Sequence, residues 1–278
     1  MPLTKQIRRR VERAVRYLKA GRIDLQLWIT GKTNPHAPPM RLQVTGVGDF
    51  DKIGDEFLRL LIGIGGLRPT DRVLDIGSGI GRIALPLTGY VRTPATYDGF
   101  DVMKGAVRWC KTNISNRHPN FRFQHVDVSN SEYNPRGMPA SRFRFPFDDA
   151  AFDFAFAVSV FTHLMPDETR QYLRESSRVL IADGRLFVTF FLLNETSIAA
   201  LPKHGTFSFP VVQGPIRLQD ADHPAIGVAY NQDFVEELMR DSSLVIERIE
   251  YGQWTGRRAA PTFQDVVLCR RVGSAAPA

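Results

Sequence analysis

Cysteine is scarce in this chain of 278 residues: only Cys110 and Cys269 occur, far apart and outside any metal-ligand spacing. That scarcity excludes a disulfide-stapled scaffold or a zinc ribbon, and it fits two reduced thiols in a cytoplasmic protein. Long apolar runs are missing too. No stretch approaches the ~18 apolar residues that a membrane-spanning helix needs. Charges recur from Lys5 to Arg22, where a secretory leader would carry its apolar centre. Neither a spanning segment nor a leader is therefore expected. What remains is an ordinary globular composition, 43% hydrophobic and 23% charged, on a chain long enough for a full core.

Acidic charge is nearly absent from one segment. Residues 1–22 hold eight bases and a single acid, Glu12, which accounts for the whole net charge of +7. The remainder carries 28 bases and 28 acids and is formally neutral. Within the basic segment Ile7, Val11, Ala14, Val15 and Leu18 recur at helical spacing, which predicts a basic amphipathic helix. Such a helix docks its apolar stripe on the body, lies on an anionic membrane, or tracks nucleic-acid phosphates. A proline-rich linker, TGKTNPHAPPM, follows from Thr30 to Met40. The expected layout is helix and linker over 1–45, one domain over 46–273, and a tail at 274–278.

From about Gly46 helices and short apolar strands alternate. A helix begins near Asp49 or Asp51 and ends at Gly65-Gly66. Strands are expected in RVLDIG, ATYDGFDV, FRFQHVDV, FDFAFAVSV and GRLFVTFFLL, the last preceded by the turn Ala182-Asp183-Gly184. Helices are expected from about Arg82 to Tyr90, in MKGAVRWCKTNISNR and in DETRQYLRESSRVL. A last helix, NQDFVEELMRDSS, precedes the strands LVIERIEYGQW and QDVVLCRRV. Strands that are apolar almost throughout imply an α/β fold, a doubly wound and mostly parallel sheet covered on both faces. Insertions at about 129–147 and 194–230 interrupt the alternation at strand ends where open α/β sheets place ligands. The first includes a turn at Tyr133–Gly137 and the bases Arg136, Arg142 and Arg144, either solvated or facing an anionic substrate. The second includes Lys203, His204 and Phe207.

The chemistry is concentrated in RVLDIGSGIGRIALPL, residues 72–87, a strand that breaks into three glycines and then a helix. The dinucleotide fingerprint is G-x-G-x-x-G. Here Gly77-x-Gly79-x-Gly81 is one residue shorter, and Asp75 stands just ahead, where its charge repels a pyrophosphate and favours an ammonium. Asp101 ends the second strand, 20 residues after Gly81, where a carboxylate accepts from ribose hydroxyls. Asp127 ends the third, where it accepts from an adenine amine. Three acids at three strand ends suit a cofactor that is adenosine at one end and a cationic amino acid at the other. Asp98 is an alternative ribose ligand, although its place before Gly99 suggests a turn.

VLDIGSGIGR, YDGFDVMKGAVRWC, FQHVDV, FPFDDAAFDFAFAVSVFTHL and SSRVLIADGRLFVTF together resemble class I S-adenosylmethionine-dependent methyltransferases over roughly residues 46–270. The resemblance implies a Rossmann-like, seven-stranded sheet whose last strand is reversed, with S-adenosyl-L-methionine as cofactor. It implies that Gly77, Ser78, Gly79 and Gly81 wrap the methionine part and that Asp101 and Val102 meet the ribose. By the same resemblance Asp127 and Val128 flank the adenine, and Ser159 lies where the fourth strand meets the donor. Arg82 either meets the cofactor carboxylate or is an ordinary exposed base at a helix start.

Methyl transfer is an in-line displacement, so alignment matters most, and a hydroxyl acceptor gains from a base. The Asp/Asn-Pro-Pro-aromatic motif of nucleobase-amine methylases is absent after the fourth strand. His163 stands there instead, either as the base or as a support for the loop. No metal is expected, since Asp153 is at the wrong end of its strand and Asp167 starts a helix. Trp254 either walls the substrate pocket or fills the core. The expected activity is O-methylation of a small-molecule, sugar or glycolipid acceptor. The alternatives are an RNA methyltransferase using the basic helix, or a cofactor-binding protein without catalysis. The expected location is cytoplasmic, with residues 1–22 as a point of peripheral contact with the inner face of a membrane.

Overall fold

The computed structural model describes residues 2–31, 37–43, 49–129, 134, 136–202 and 207–273, the side chains of 2–14 and 16 excepted. Its first elements are α1 (Pro2–Ile29), α2 (Phe50–Gly63), β1 (Val73–Ile76), α3 (Ala84–Leu87), β2 (Tyr97–Asp101), α4 (Lys104–Cys110) and β3 (Phe121–His125). There follow β4 (Phe152–Ala157), α5 (Pro166–Val179), β5 (Leu180–Phe190), β6 (Leu192–Leu193) and α6 (Glu195–Ala199). The chain ends with β7 (Val211–Gln213), β8 (Ile216–Leu218), β9 (Val228–Asn231), α7 (Gln232–Asp241), β10 (Leu244–Glu250) and β11 (Asp265–Arg271).

Seven strands form one sheet in the order β10-β11-β5-β4-β1-β2-β3. All are parallel except β11, which runs against both β5 and β10. The central strands are buried on both faces, as expected of strands covered by helices on each side. Alternate side chains divide them between two cores. Leu74, Ile76, Phe100 and Val188 face Leu173 of α5 and Leu238 of α7. Val73, Tyr97, Phe156 and Phe187 face Phe57 and Leu61 of α2 and Val107 of α4. Strand order therefore reverses between β1 and β4, and the carboxyl ends there open a crevice.

Several expectations change. The helix after the glycines is Ala84–Leu87, not Arg82 to Tyr90: Pro86 has no N–H to give the Arg82 carbonyl, so the regular ladder starts later. The Arg82 carbonyl it leaves is met by the backbone of α2, where a Cβ on Gly54 would lie 2.5 Å from it. The segment Ala182-Asp183-Gly184 lies within β5 as an irregularity in its pairing with β4, with Asp183 at φ +61°. Asp98 is not in a turn but inside β2, opposite Arg122 of β3, which binds it through Nε at 2.8 Å. The helix at 103–117 contains a π-helical turn at Lys111–Ser115.

Both insertions are tied down. In the first, Phe143, Phe145 and Phe147 pack around Phe100. The Phe145 N–H donates to Glu175 at 2.8 Å, and Arg178 donates to the carbonyls of Phe145 and Phe147. The bases Arg136, Arg142 and Arg144 are exposed, and Tyr133 lies outside the described residues. The second insertion builds α6, the β7–β8 hairpin and β9, which join β6 in a second sheet ordered β6-β9-β8-β7. Lys203 and His204 lie outside the described residues.

The N-terminal helix does not dock by an apolar stripe over its described part. Leu18, Leu25, Trp28 and Ile29 are exposed, Trp28 at 71%. Its contact lies at its C-terminal end, where Asp24 accepts from the backbone N–H groups of Met40 and Arg41. The side chains of Ile7, Val11 and Ala14, and the tail at 274–278, lie outside the described residues. No described helix is long and apolar enough to cross a membrane.

Candidate active site

The strand-to-helix turn after β1 needs left-handed backbone, and glycine supplies it: Gly77, Gly79 and Gly81 have φ of +79°, +52° and +75°. The N–H groups of Gly77 and Ser78 both donate to the Phe100 carbonyl at 3.0 Å, which bends the loop over the end of β2. There the Asp101 carboxylate accepts from the Gly79 N–H at 2.8 Å and from the Met103 N–H at 2.7 Å. Burial pushes its pKa up, and those N–H groups pull it back down. The Ser78 hydroxyl is buried at the same place with no hydrogen-bond partner.

Asp75 lies deeper, at 3% exposure, and accepts a hydrogen bond from the Tyr97 hydroxyl. Burial pushes its pKa up to about 7, with the nearby Asp101 charge adding to the rise and the Tyr97 bond opposing it. Tyr97 gave no sequence signal. Its partner in register is Val73, and it reaches diagonally to Asp75, which stands opposite Gly99. The guanidinium of Arg82 lies over the Phe50 ring at 5.5 Å. It lines a separate cavity of about 450 Å³ with Asp51, Asp55, Arg117 and His118.

At the end of β3 the Asp127 side chain is exposed and accepts from Asn134 Nδ2 at 2.8 Å. The same amide donates to the Val128 carbonyl at 3.0 Å, so one insertion residue fixes both positions. Val128 is buried and Val102 half-buried.

Beyond β4, Ser159 is exposed at φ +58°. Its N–H donates to Thr189 Oγ1 at 2.8 Å, and its hydroxyl donates to Gln264 Oε1 at 3.0 Å. Thr189 also donates to Gln264 Oε1, at 2.7 Å. Sequence reasoning missed Thr189 and Gln264, which reach the site only because β11 runs antiparallel beside β5. His163 follows within one 3-10 turn, Phe161–His163. Its Nδ1 lies 2.7 Å from the Ala225 carbonyl of the second insertion. A carbonyl only accepts, so Nδ1 carries a hydrogen and donates it there.

Trp254 is buried and belongs to an aromatic cluster with Phe191 and Phe209. Its indole N–H donates to Asp265 at 2.8 Å, and the same carboxylate accepts from the Leu192 and Gly252 N–H groups, each at 2.7 Å. Burial pushes both cysteine thiols up. Among the described residues no three His, Cys, Asp or Glu side chains converge as a metal site requires. The crevice thus combines a backbone cradle with a fixed carboxylate.

Residues 74–188 match a family model described as a methyltransferase domain. An O-methyltransferase, cnsE, of Penicillium expansum is 30% identical over 126 residues, covering 41% of this chain and 38% of that protein. The chain therefore aligns with well under half the length of that curated relative. Among solved structures, an S-adenosylmethionine-dependent methyltransferase of Methanosarcina mazei aligns with a TM-score of 0.51 at 20% identity, over 76% of this chain and 97% of that one. The 1,6-didemethyltoxoflavin-N1-methyltransferase of Burkholderia thailandensis, solved with S-adenosylhomocysteine, aligns with a TM-score of 0.51 at 19% identity. That alignment spans 81% of this chain and 79% of the Burkholderia chain. At these identities the two structures establish a shared fold.

Proposed function

We propose that this chain, whose residues 74–188 match a methyltransferase domain, is a class I S-adenosylmethionine-dependent methyltransferase that methylates an oxygen of a small-molecule, sugar or glycolipid acceptor. The observation that carries the cofactor assignment is Asp101, whose carboxylate is held by Gly79 and Met103 at the mouth of the glycine turn. The buried Ser78 hydroxyl without a partner and the left-handed glycines fit a ligand that comes into backbone contact. In this reading Gly77, Ser78, Gly79 and Gly81 hold the amino-acid end, Asp101 with Val102 the ribose, and Asp127 with Val128 the adenine. Bound there, S-adenosylmethionine supplies an electrophilic methyl on a sulfonium, which becomes a neutral thioether on transfer.

The chain's own part is alignment and proton removal. Ser159 and Val160 border the glycine turn; a Cβ on Gly77 would lie 2.6 Å from Val160 Cγ2. His163 Nε2 takes the proton from the acceptor hydroxyl as its oxygen bonds to the methyl. The name of the Penicillium relative supports an oxygen acceptor. Titration calorimetry with S-adenosylhomocysteine tests the cofactor assignment: binding is expected, weakened at least 10-fold by Asp101→Ala. No heat from the unsubstituted protein overturns it.

The exposed apolar side chains of α1 favour a second reading for that segment. We propose that α1 lies on an anionic lipid surface, its eight bases near the headgroups and Leu18, Leu25 and Trp28 in the interface. Sedimentation with phosphatidylglycerol vesicles, and not with phosphatidylcholine vesicles, is expected, and deletion of residues 1–22 abolishes it. Equal sedimentation with both lipids overturns the reading, and salt-sensitive retention of RNA in place of vesicle binding assigns the helix to nucleic acid.

A further inference from the structure

Where β5 ends and β11 begins, a group of aromatic rings packs together. Phe191, Phe209 and Trp254 are buried, whereas Phe263 is 43% exposed and Phe207 half-buried. The Phe263 ring lies 5.0 Å from Phe207 and 6.3 Å from Phe191, centroid to centroid. Phe207 and Phe209 have φ of +64° and +43°, and Ser159 has +58°. Left-handed backbone is rare for bulky side chains, and such strain gathers where a structure is shaped for a ligand.

The residue after the exposed ring is Gln264. Two hydroxyls, Ser159 and Thr189, donate to its Oε1, which fixes the amide one way round. Its Nε2 is left as a donor-only group with two hydrogens. Ser159 adjoins Val160, which packs on Gly77 of the glycine turn. The rings thus adjoin the amide through the chain, and the amide connects to the turn through Ser159 and Val160.

We infer that these rings and this amide form the acceptor subsite and that it takes a flat aromatic ring bearing an oxygen. The ring lies against Phe263 and Phe207, and its oxygen accepts from Gln264 Nε2. The inference rests on the methyltransferase reading and narrows its acceptor from sugar or lipid to an aromatic compound. Both hydroxyls beside the amide are already committed to it, so the two N–H bonds of one amide nitrogen are the donors left among these groups. That suffices for the one or two oxygens on a flat ring and leaves most hydroxyls of a sugar without partners. Stacked and edge-on contacts with the two phenylalanines supply the rest.

Three flat phenols (7-hydroxycoumarin, 1-naphthol and quercetin) test this against methyl α-glucopyranoside, by titration calorimetry with and without saturating S-adenosylhomocysteine. At least one phenol is expected to bind 10-fold or more tightly than the glucoside. Phe263→Ala and Gln264→Ala are each expected to weaken that binding at least 10-fold while leaving S-adenosylhomocysteine affinity unchanged, which shows the variants are folded. Gln264→Glu, which replaces the donor by an acceptor, should weaken it as well. Binding of the glucoside as tight as that of every phenol, absence of binding by all three phenols, or phenol binding indifferent to both alanine variants overturns the inference. Loss of S-adenosylhomocysteine binding in the unsubstituted protein counts instead against the cofactor reading, and the phenol titration without it still decides this one.

Discussion

The Tyr97 hydroxyl donates to the Asp75 carboxylate beneath the glycine turn, in a place closed to solvent. With its pKa raised to about 7, Asp75 holds its proton in the folded protein at pH values where the unfolded chain has released it. Its contribution to stability is therefore fully present below about pH 4, the unfolded value, and is lost as pH rises through about 7. Burial raises Asp101 and Asp265 as well, so they act with the same sign. Asp75→Asn keeps an acceptor for Tyr97 and cannot ionise. Between pH 4.5 and 7.5 the unsubstituted protein should lose roughly 1–4 kcal/mol more than this variant, measured by urea unfolding. Parallel pH dependences in the two proteins would refute the assignment.

Removing the imidazole should leave the cofactor site intact. His163→Ala is expected to lower turnover about 100-fold or more with S-adenosylhomocysteine affinity unchanged. Turnover at the unsubstituted level would place His163 among the groups that merely support the loop.

Gly77 cannot be replaced cheaply. An added Cβ would meet the stiff, β-branched Val160 at 2.6 Å on backbone at φ +79°. Gly77→Ala should cost about 1–3 kcal/mol in thermal unfolding and weaken S-adenosylhomocysteine at the same time. Gly105, with nothing within 4 Å of its Cβ position, is the control. Alanine there should leave both measurements near those of the unsubstituted protein.

Asp265 ties the aromatic cluster to the sheet by accepting three N–H groups from Leu192, Gly252 and Trp254. Asp265→Ala leaves those buried donors unpaired, at about 1–3 kcal/mol for each. A drop of at least roughly 3 kcal/mol in guanidinium unfolding is expected. A change below roughly 1 kcal/mol would mean that water replaces the carboxylate.

The parts of this site that lie close together in sequence were legible there. Gly77, Gly79 and Gly81 announce themselves by spacing, and the apolar strands place Asp101 and Asp127 at successive strand ends. What could not be seen is set by register across the sheet. Gln264 meets Ser159 over a separation of 105 residues, and Arg122 meets Asp98 only because the two strands align them directly. Alternation along β2 and β3 does not name that pair until the register is known. The second sheet was hidden for another reason. Its strands are two to four residues long, too short for any period to show. Arg82 precedes α3 rather than opening a helix that runs to Tyr90.

The bond from His163 to the Ala225 carbonyl joins the imidazole to the segment that varies most freely in a fold of this kind, a surface insertion. If His163 is the base as proposed, choice of substrate and strength of that base are therefore inherited together. A descendant that exchanges residues 194–230 for another insertion also exchanges the acceptor that decides which ring nitrogen bears the proton. Remodelling for a new substrate would begin from an enzyme whose histidine tautomer has been released, until the incoming segment supplies another carbonyl.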